Sequence, residues 1–146
     1  MSVQELFAYL IVDNASEAIE FYERAFGAAE KFRLVGPGGQ IGHAELDFDG
    51  TTLMLADEFP DMGIVAPSTL GGSGVSIHLH VDDADAVVDR AAQAGATVES
   101  PPADQFYGER SAVLKDPFGH RWNVGHHIET VSPKEMQRRY DEMAGD

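Results

Sequence analysis

Asp116-Pro117-Phe118-Gly119-His120-Arg121-Trp122-Asn123 reads as a tight turn feeding a strand. Pro117 pre-sets the turn backbone, and Gly119 supplies the permissive φ that the turn requires. An earlier stretch, Asp49-Gly50-Thr51-Thr52-Leu53-Met54-Leu55, has the same layout. Gly119 lies 69 residues after Gly50, and Asn123 lies 69 after Met54. The same offset joins Val12 to Val81 and Asp13 to Asp82, so two strands end in Val-Asp ahead of a helix. Gly27 maps one residue past Gly95, which is a single-residue indel in the helix or its cap. Each half is then a βαβββ unit. The two share a core, because one such unit is too small to bury its sheet alone.

Glu5–Val12 is rich in β-branched and aromatic residues and is predicted to be a strand. Asn14 with Glu17 three residues on resembles a capping box, and Ala18, Ile19, Tyr22, Ala25 and Phe26 follow at helical spacing up to Gly27. Lys31–Val35, Ile41–Phe48 and Thr51–Leu55 complete the first unit as strands. The second unit begins with a strand over Val75–Val81. Asp82-Asp83 caps a helix that presents Val87, Val88, Ala91 and Ala94, and strands follow over Thr97–Glu99, Gln105–Tyr107 and Ser111–Leu114. The chain is predicted to be a single domain, 1–146. Module one is 1–56, a Pro- and Gly-rich linker is 57–74, module two is 75–125, and a tail with a terminal helix is 126–146. Ser132-Pro133-Lys134-Glu135 starts that helix as a capping box with Pro at its first position, and Met136, Tyr140 and Met143 form its apolar stripe.

Composition excludes several classes of function. The chain has no cysteine, so disulfides, thiolate metal sites and cysteine nucleophiles are ruled out. A net charge of −15 opposes nucleic-acid binding, which needs clustered Lys and Arg. The same field favours a cationic ligand by long-range attraction, and equally serves solubility. No apolar run approaches the length of a membrane span, and the N-terminus has no basic leader; a cytoplasmic protein with no membrane partner is expected. There is no Ser-His-Asp order, phosphate loop or nucleotide fingerprint.

Paired βαβββ units, with Ile77-His78-Leu79-His80-Val81-Asp82-Asp83 opening the second and Asp116–Trp122 closing it, resemble the vicinal oxygen chelate superfamily. That superfamily contains glyoxalase I, bleomycin-resistance proteins, fosfomycin-resistance enzymes and extradiol dioxygenases. Gly42-His43-Ala44-Glu45-Leu46, Gln105–Arg110 and Val131-Ser132-Pro133 are most similar to its PhnB-like branch. The resemblance implies an α+β fold in which the two βαβββ modules form a curved mixed sheet around a cleft, with a C-terminal helix added. It also implies a homodimer. In the metal-using members, one ligand stands five residues before the Val that ends each module's first strand. Another stands four residues after the turn Gly of the last strand. Carried onto this chain, those positions are Phe7, Met54, Ser76 and Asn123, with 47 residues separating each pair. Phe and Met cannot hold a hard or borderline ion, Ser is a poor ligand, and Asn offers one neutral oxygen. No metal and no cofactor is therefore expected there.

Strand alternation puts Ser76, His78 and His80 on one face, and His43, Glu45 and Asp47 on one face of their own strand. The apolar sets should cover the helices and leave the polar sets toward the cleft. A displaced metal site of His43, Glu45 and His78 competes with a plain polar lining of the cleft. Glu45 or His78 is the candidate acid–base residue. Arg110 can clamp a ligand carboxylate or phosphonate, or pair with a local carboxylate. Phe7, Tyr9, Met54, Tyr107 and Trp122 are candidates for an apolar wall, Trp122 being equally a core residue. The ligand-binding set is thus Phe7, Tyr9, His43, Glu45, Met54, Ser76, His78, Tyr107, Arg110, Trp122 and Asn123. The leading expectation is metal-independent small-molecule binding, as in sequestration of a drug or metabolite. The alternatives are a glyoxalase-like isomerase or lyase, and a structural or regulatory dimer with a vestigial cleft.

Overall fold

A computed structural model describes residues 1–145. Its elements are β1 (Ala8–Val12), α1 (Ala15–Phe26), β2 (Ala29–Val35), β3 (Ile41–Phe48), β4 (Thr51–Asp57), a 3-10 turn (Pro60–Met62), α2 (Pro67–Leu70), β5 (Ser76–His80), α3 (Ala84–Ala94), β6 (Thr97–Asp104), β7 (Glu109–Lys115), β8 (Arg121–His127) and α4 (Pro133–Ala144). The strands form two four-stranded mixed sheets, ordered β1-β4-β3-β2 and β5-β8-β7-β6. In each sheet the first and last strands of the module run parallel at one end, and the remaining pairs are antiparallel. The fold is therefore α+β with two βαβββ modules and a C-terminal helix.

The 69-residue repeat persists down to single hydrogen bonds. Ala8 pairs with Leu53 and Ile77 with Trp122, so both parallel pairs share one register. Asn14 Oδ1 accepts from the Glu17 N–H at 3.1 Å, and its equivalent Asp83 Oδ1 accepts from the Ala86 N–H at 3.1 Å. These side chains satisfy helix-start donors that would otherwise have no partner. A second anchor repeats with its chemistry changed. The Ala15 N–H donates to Asp57 Oδ1 at 2.7 Å, and the Ala84 N–H donates to His126 Nδ1 at 2.9 Å. In both modules, then, the end of the last strand holds the start of the helix.

The modules join through their helices. α1 packs on α3, and each helix covers one face of its own sheet. Arg90 of α3 reaches the exposed C-terminal carbonyls of α1, donating from Nε to the Arg24 oxygen at 2.6 Å and from Nη2 to the Glu23 oxygen at 3.3 Å. Tyr22 and Phe26 of α1 meet Trp122 of β8 with ring centroids 5.3 and 4.8 Å apart, and Phe48 of β3 closes the cluster at 6.1 Å. Among the described residues, no strand of one sheet is hydrogen-bonded to the other.

Asp116 is the polar centre of this core. Its Oδ1 accepts from the Phe118 and His120 N–H groups, each at 2.9 Å, which shapes the turn. Its Oδ2 accepts from the Tyr22 hydroxyl at 2.5 Å and from Trp122 Nε1 at 2.8 Å. Burial, and then the adjoining Asp116 carboxylate, push the Tyr22 phenol well above its ordinary range, so it stays a donor. His120 adds a further tie, donating from Nε2 to the Ile11 carbonyl at 2.9 Å. Gly119 has φ +92°, and a Cβ there would stand 2.8 Å from Pro67 Cβ. The turn thus needs glycine for its backbone and for the close approach of the segment between the modules.

Some strand boundaries differ from the sequence reading. β6 runs continuously through Ser100-Pro101-Pro102-Ala103, where two separate short strands were expected, and Tyr107 lies in the following turn. β6 is an edge strand whose pairing skips from Ser100 to Ala103, so neither proline has to donate to the ladder. β1 begins at Ala8 rather than Glu5, leaving Phe7 just ahead of it. The segment between the modules is ordered, with Ala66 and Pro67 buried and a bridge between Phe59 and Ile64.

Candidate functional site

Because α1 and α3 cover the inner faces, the candidate functional side chains are those on the outward faces of the two sheets. On module one, Tyr9, His43, Glu45 and Met54 are neighbours: Tyr9 pairs with Met54, Met54 with Glu45, and Phe32 with Glu45. The Tyr9 hydroxyl donates to His43 Nδ1 at 2.8 Å, and His43 Nε2 donates to Glu45 Oε2 at 2.9 Å. Held at both ring nitrogens, the imidazole has a fixed orientation. Burial, and then the Glu45 charge, raise the Tyr9 phenol above its ordinary value, which keeps its proton in place. Lys31 Nζ lies 3.7 Å from Glu45 Oε1. Around this polar chain stand Phe32 and Leu34, which are 42% and 59% exposed although they project from a sheet.

Module two carries a different set. His78 pairs with Asn123 and His80 with Gly125 across the parallel β5–β8 ladder. Gly125 also pairs with Ser111 of β7, and Glu109 stands two residues before Ser111 on the same face. Glu109 reaches across Gly125, hydrogen-bonding His80 Nε2 through Oε1 and placing Oε2 3.9 Å from His78 Nε2. The two imidazoles meet edge to face with centroids 4.7 Å apart. The Tyr107 hydroxyl and Ser111 Oγ, 2.9 Å apart, border this face.

His43, Glu45 and His78, the alternative to a plain polar lining, do not form a cluster: among the described residues only His78, His80 and Glu109 converge with metal-ligand spacing. His43 and Glu45 belong to module one, and His78 belongs to module two. Trp122 is fully buried and faces the helices, so it cannot line a cleft. Arg110 also points to the helix side of its strand. Its Nε and Nη2 pair with Asp85 of α3 at 2.7 and 2.9 Å, and its Nη1 pairs with Asp104 at 3.1 Å. These bonds raise its pKa and leave it no free fork for a ligand. Glu109 and His80 entered no candidate set, because the contact between them crosses an intervening strand at a glycine.

Phe7, Met54, Ser76 and Asn123 do not fit a metal. Only Asn123 offers a usable acceptor, and its Oδ1 is buried without a hydrogen-bond partner. Two shallow depressions, of about 500 and 290 Å³, run along α4 and between α1 and Phe118.

Two βαβββ modules with polar outward faces define the class, and residues 5–124 match the Glyoxalase/Bleomycin resistance protein/Dioxygenase superfamily. The chain belongs to that superfamily. It is 46% identical over 132 residues to the uncharacterized protein Mb0911c of Mycobacterium bovis, covering 88% of this chain and 87% of that one. It is 32% identical over 117 residues to the uncharacterized protein At5g48480 of Arabidopsis thaliana, covering 75% and 69% of the two chains. The solved structure of that Arabidopsis gene product superposes with a TM-score of 0.68 at 28% identity, covering 84% of this chain and 98% of the other. Protein PA1353 of Pseudomonas aeruginosa superposes with a TM-score of 0.70 at 26% identity, over 87% and 100%.

Proposed function

We propose that this chain binds a small cationic molecule on the outward face of module one, without a metal at the superfamily's ligand positions, and that it does so as a homodimer of the PhnB-like branch. One observation carries the reading: the Tyr9–His43–Glu45 hydrogen-bonded chain lies among exposed Phe32, Leu34 and the Met54 side chain. An apolar wall with a few converging polar groups is the usual composition of a ligand site. Glu45 supplies the anion for a ligand cation, and Phe32 and Tyr9 supply faces for its apolar body. A net charge of −15 draws cations to the surface from a distance. Dimerisation accounts for the exposure of Phe32 and Leu34, since a second copy laid over this face encloses the site and removes that apolar surface from water.

The test is a thermal-shift and calorimetric screen with bleomycin as the cationic glycopeptide probe, an alkyl phosphonate as the anionic one, and the methylglyoxal–glutathione hemithioacetal. Stabilisation by the cationic probe is expected, at about 2.7 kcal/mol when the ligand is roughly a hundredfold above its Kd. It should vanish in Glu45→Gln and weaken in Tyr9→Phe. Stabilisation only by the phosphonate, or binding indifferent to Glu45→Gln, overturns the reading. Turnover of the hemithioacetal with a loss of rate in Glu45→Gln would instead make the same polar chain an acid–base device.

A further inference from the structure

We propose that His78, His80 and Glu109 form a binding site for a single borderline divalent transition-metal ion, with Zn2+ as the reference ion, on the outward face of module two. The site is displaced along β5 from the positions at which the superfamily holds its metal, His78 and His80 standing two and four residues beyond Ser76 and His78 beside Asn123, and its existence does not depend on whether module one binds an organic ligand.

Three observations support this. The first is donor chemistry. Two imidazoles and one carboxylate make a donor set that suits Zn2+ and its neighbours, and it leaves coordination positions open for water or substrate. The ligand atoms already lie within 4.8 Å of one another. Zn–N and Zn–O bonds of about 2.0–2.2 Å hold neighbouring donors roughly 3.4 Å apart in a tetrahedron, so small side-chain rotations close the set. His78 and His80 are side chains on alternate residues of one strand, and they stay 42% and 65% exposed, so an ion has free access.

The second is the strand between them. β8 separates β5 from β7, and an ordinary side chain there would fill the space across which Glu109 reaches His80. The residue at that point is Gly125. A Cβ on it would stand 3.4 Å from Glu109 Oε2 and 3.4 Å from Ser111 Cβ. Its lack of a side chain leaves that space open to Glu109, and a Cβ there would press on the carboxylate only lightly.

The third is Asn123, directly paired with His78. Its buried Oδ1 lacks a donor, and it is the one such side-chain atom among the described residues. Water bound to an ion is a strong donor, and such outer hydrogen bonds commonly steady a metal site.

The experiment uses the full chain, purified without a histidine tag and stripped with chelator, titrated calorimetrically with Zn2+ alone. Co2+ is then used to read ligand identity from its visible spectrum. One ion per chain is expected. His80→Ala and Glu109→Gln should each weaken binding by about 100-fold or more, since even outer-shell losses cost 10–100-fold. Gly125→Ala should weaken it by a smaller factor, and His43→Ala should leave it unchanged. Far-UV circular dichroism of each variant separates loss of the site from loss of the fold, and His80→Gln serves if His80→Ala is unfolded. Absence of binding, binding that survives His80→Ala, or binding abolished by His43→Ala overturns the proposal. Loss of organic-ligand binding in Glu45→Gln with Zn2+ binding intact would keep the two sites distinct.

Discussion

Replacing Asp116 with asparagine exchanges one carboxylate oxygen of the buried centre for an amide nitrogen, and the four donors around that side chain set the cost. The amide oxygen can keep the Phe118 and His120 N–H groups, which now sit 2.9 Å from Oδ1. The amide nitrogen then takes the place of Oδ2 and faces two donors, the Tyr22 hydroxyl and Trp122 Nε1. The hydroxyl can rotate and accept, but the indole N–H cannot. One buried donor is therefore stranded, at a cost of about 1–3 kcal/mol, and the remaining bonds lose the assistance of the charge. A total of about 2–4 kcal/mol is expected for Asp116→Asn, against about 1.5–3 kcal/mol for Tyr22→Phe, which removes one charge-assisted bond. The two changes should be strongly non-additive, because they share that bond. Urea unfolding at fixed protein concentration, followed by the fluorescence of the sole tryptophan, Trp122, reads both. An Asp116→Asn protein within about 0.5 kcal/mol of the parent, the range of a neutral surface change, would refute the assignment of Asp116 as the polar centre of the core.

Gly119→Ala should cost about 2 kcal/mol or more, because the residue has φ +92° and its Cβ would press on Pro67; the same urea unfolding checks it. Leu34→Glu puts a charge into the exposed apolar face of module one, and sedimentation velocity should show a dimer of the parent chain converted to monomer. The docking of α4 should be acid-sensitive. Arg138 and then Arg139 hold the Glu135 carboxyl down from 4.5 to about 2, so its contribution is complete above pH 4.5 and is lost as the pH falls through about 2. Arg139 also bonds Glu129 and the Phe106 carbonyl, so the protection of α4 amides, measured against the intrinsic exchange rate at each pH, should fall over that window, with a smaller fall at high salt because the pairs are exposed. Unchanged protection down to pH 2 would contradict this.

The fold was legible because its signals are local and doubled. Turn residues at Gly50 and Gly119, helix caps at Asn14 and Asp83, and Val-Asp strand ends each recur 69 residues apart, and two weak signals in register reinforce one another. The continuity of β6 through Pro101-Pro102 was not legible, because a proline argues against a strand unless the strand is an edge, and edge position is a property of the sheet. The faces of the strands were legible wherever alternation is strict, as with His43 and Glu45 against Ala44 and Leu46. Alternation also decided Trp122 and Arg110, whose neighbours Asn123 and Ser111 occupy the outward face, but chemical type suggested ligand contact for both.

The sequence by itself determined the doubled βαβββ plan and the unfitness of Phe7, Met54, Ser76 and Asn123 for a metal, because both depend on residue identity at fixed spacing. Only the tertiary structure decided which polar residues meet. Tyr9 reaches His43 across the sheet of module one, Glu109 reaches His80 over Gly125, and Tyr22 of one module joins Asp116 of the other. Such meetings depend on strand order and on the space left by a missing side chain, and neither is encoded in the spacing of the residues that meet.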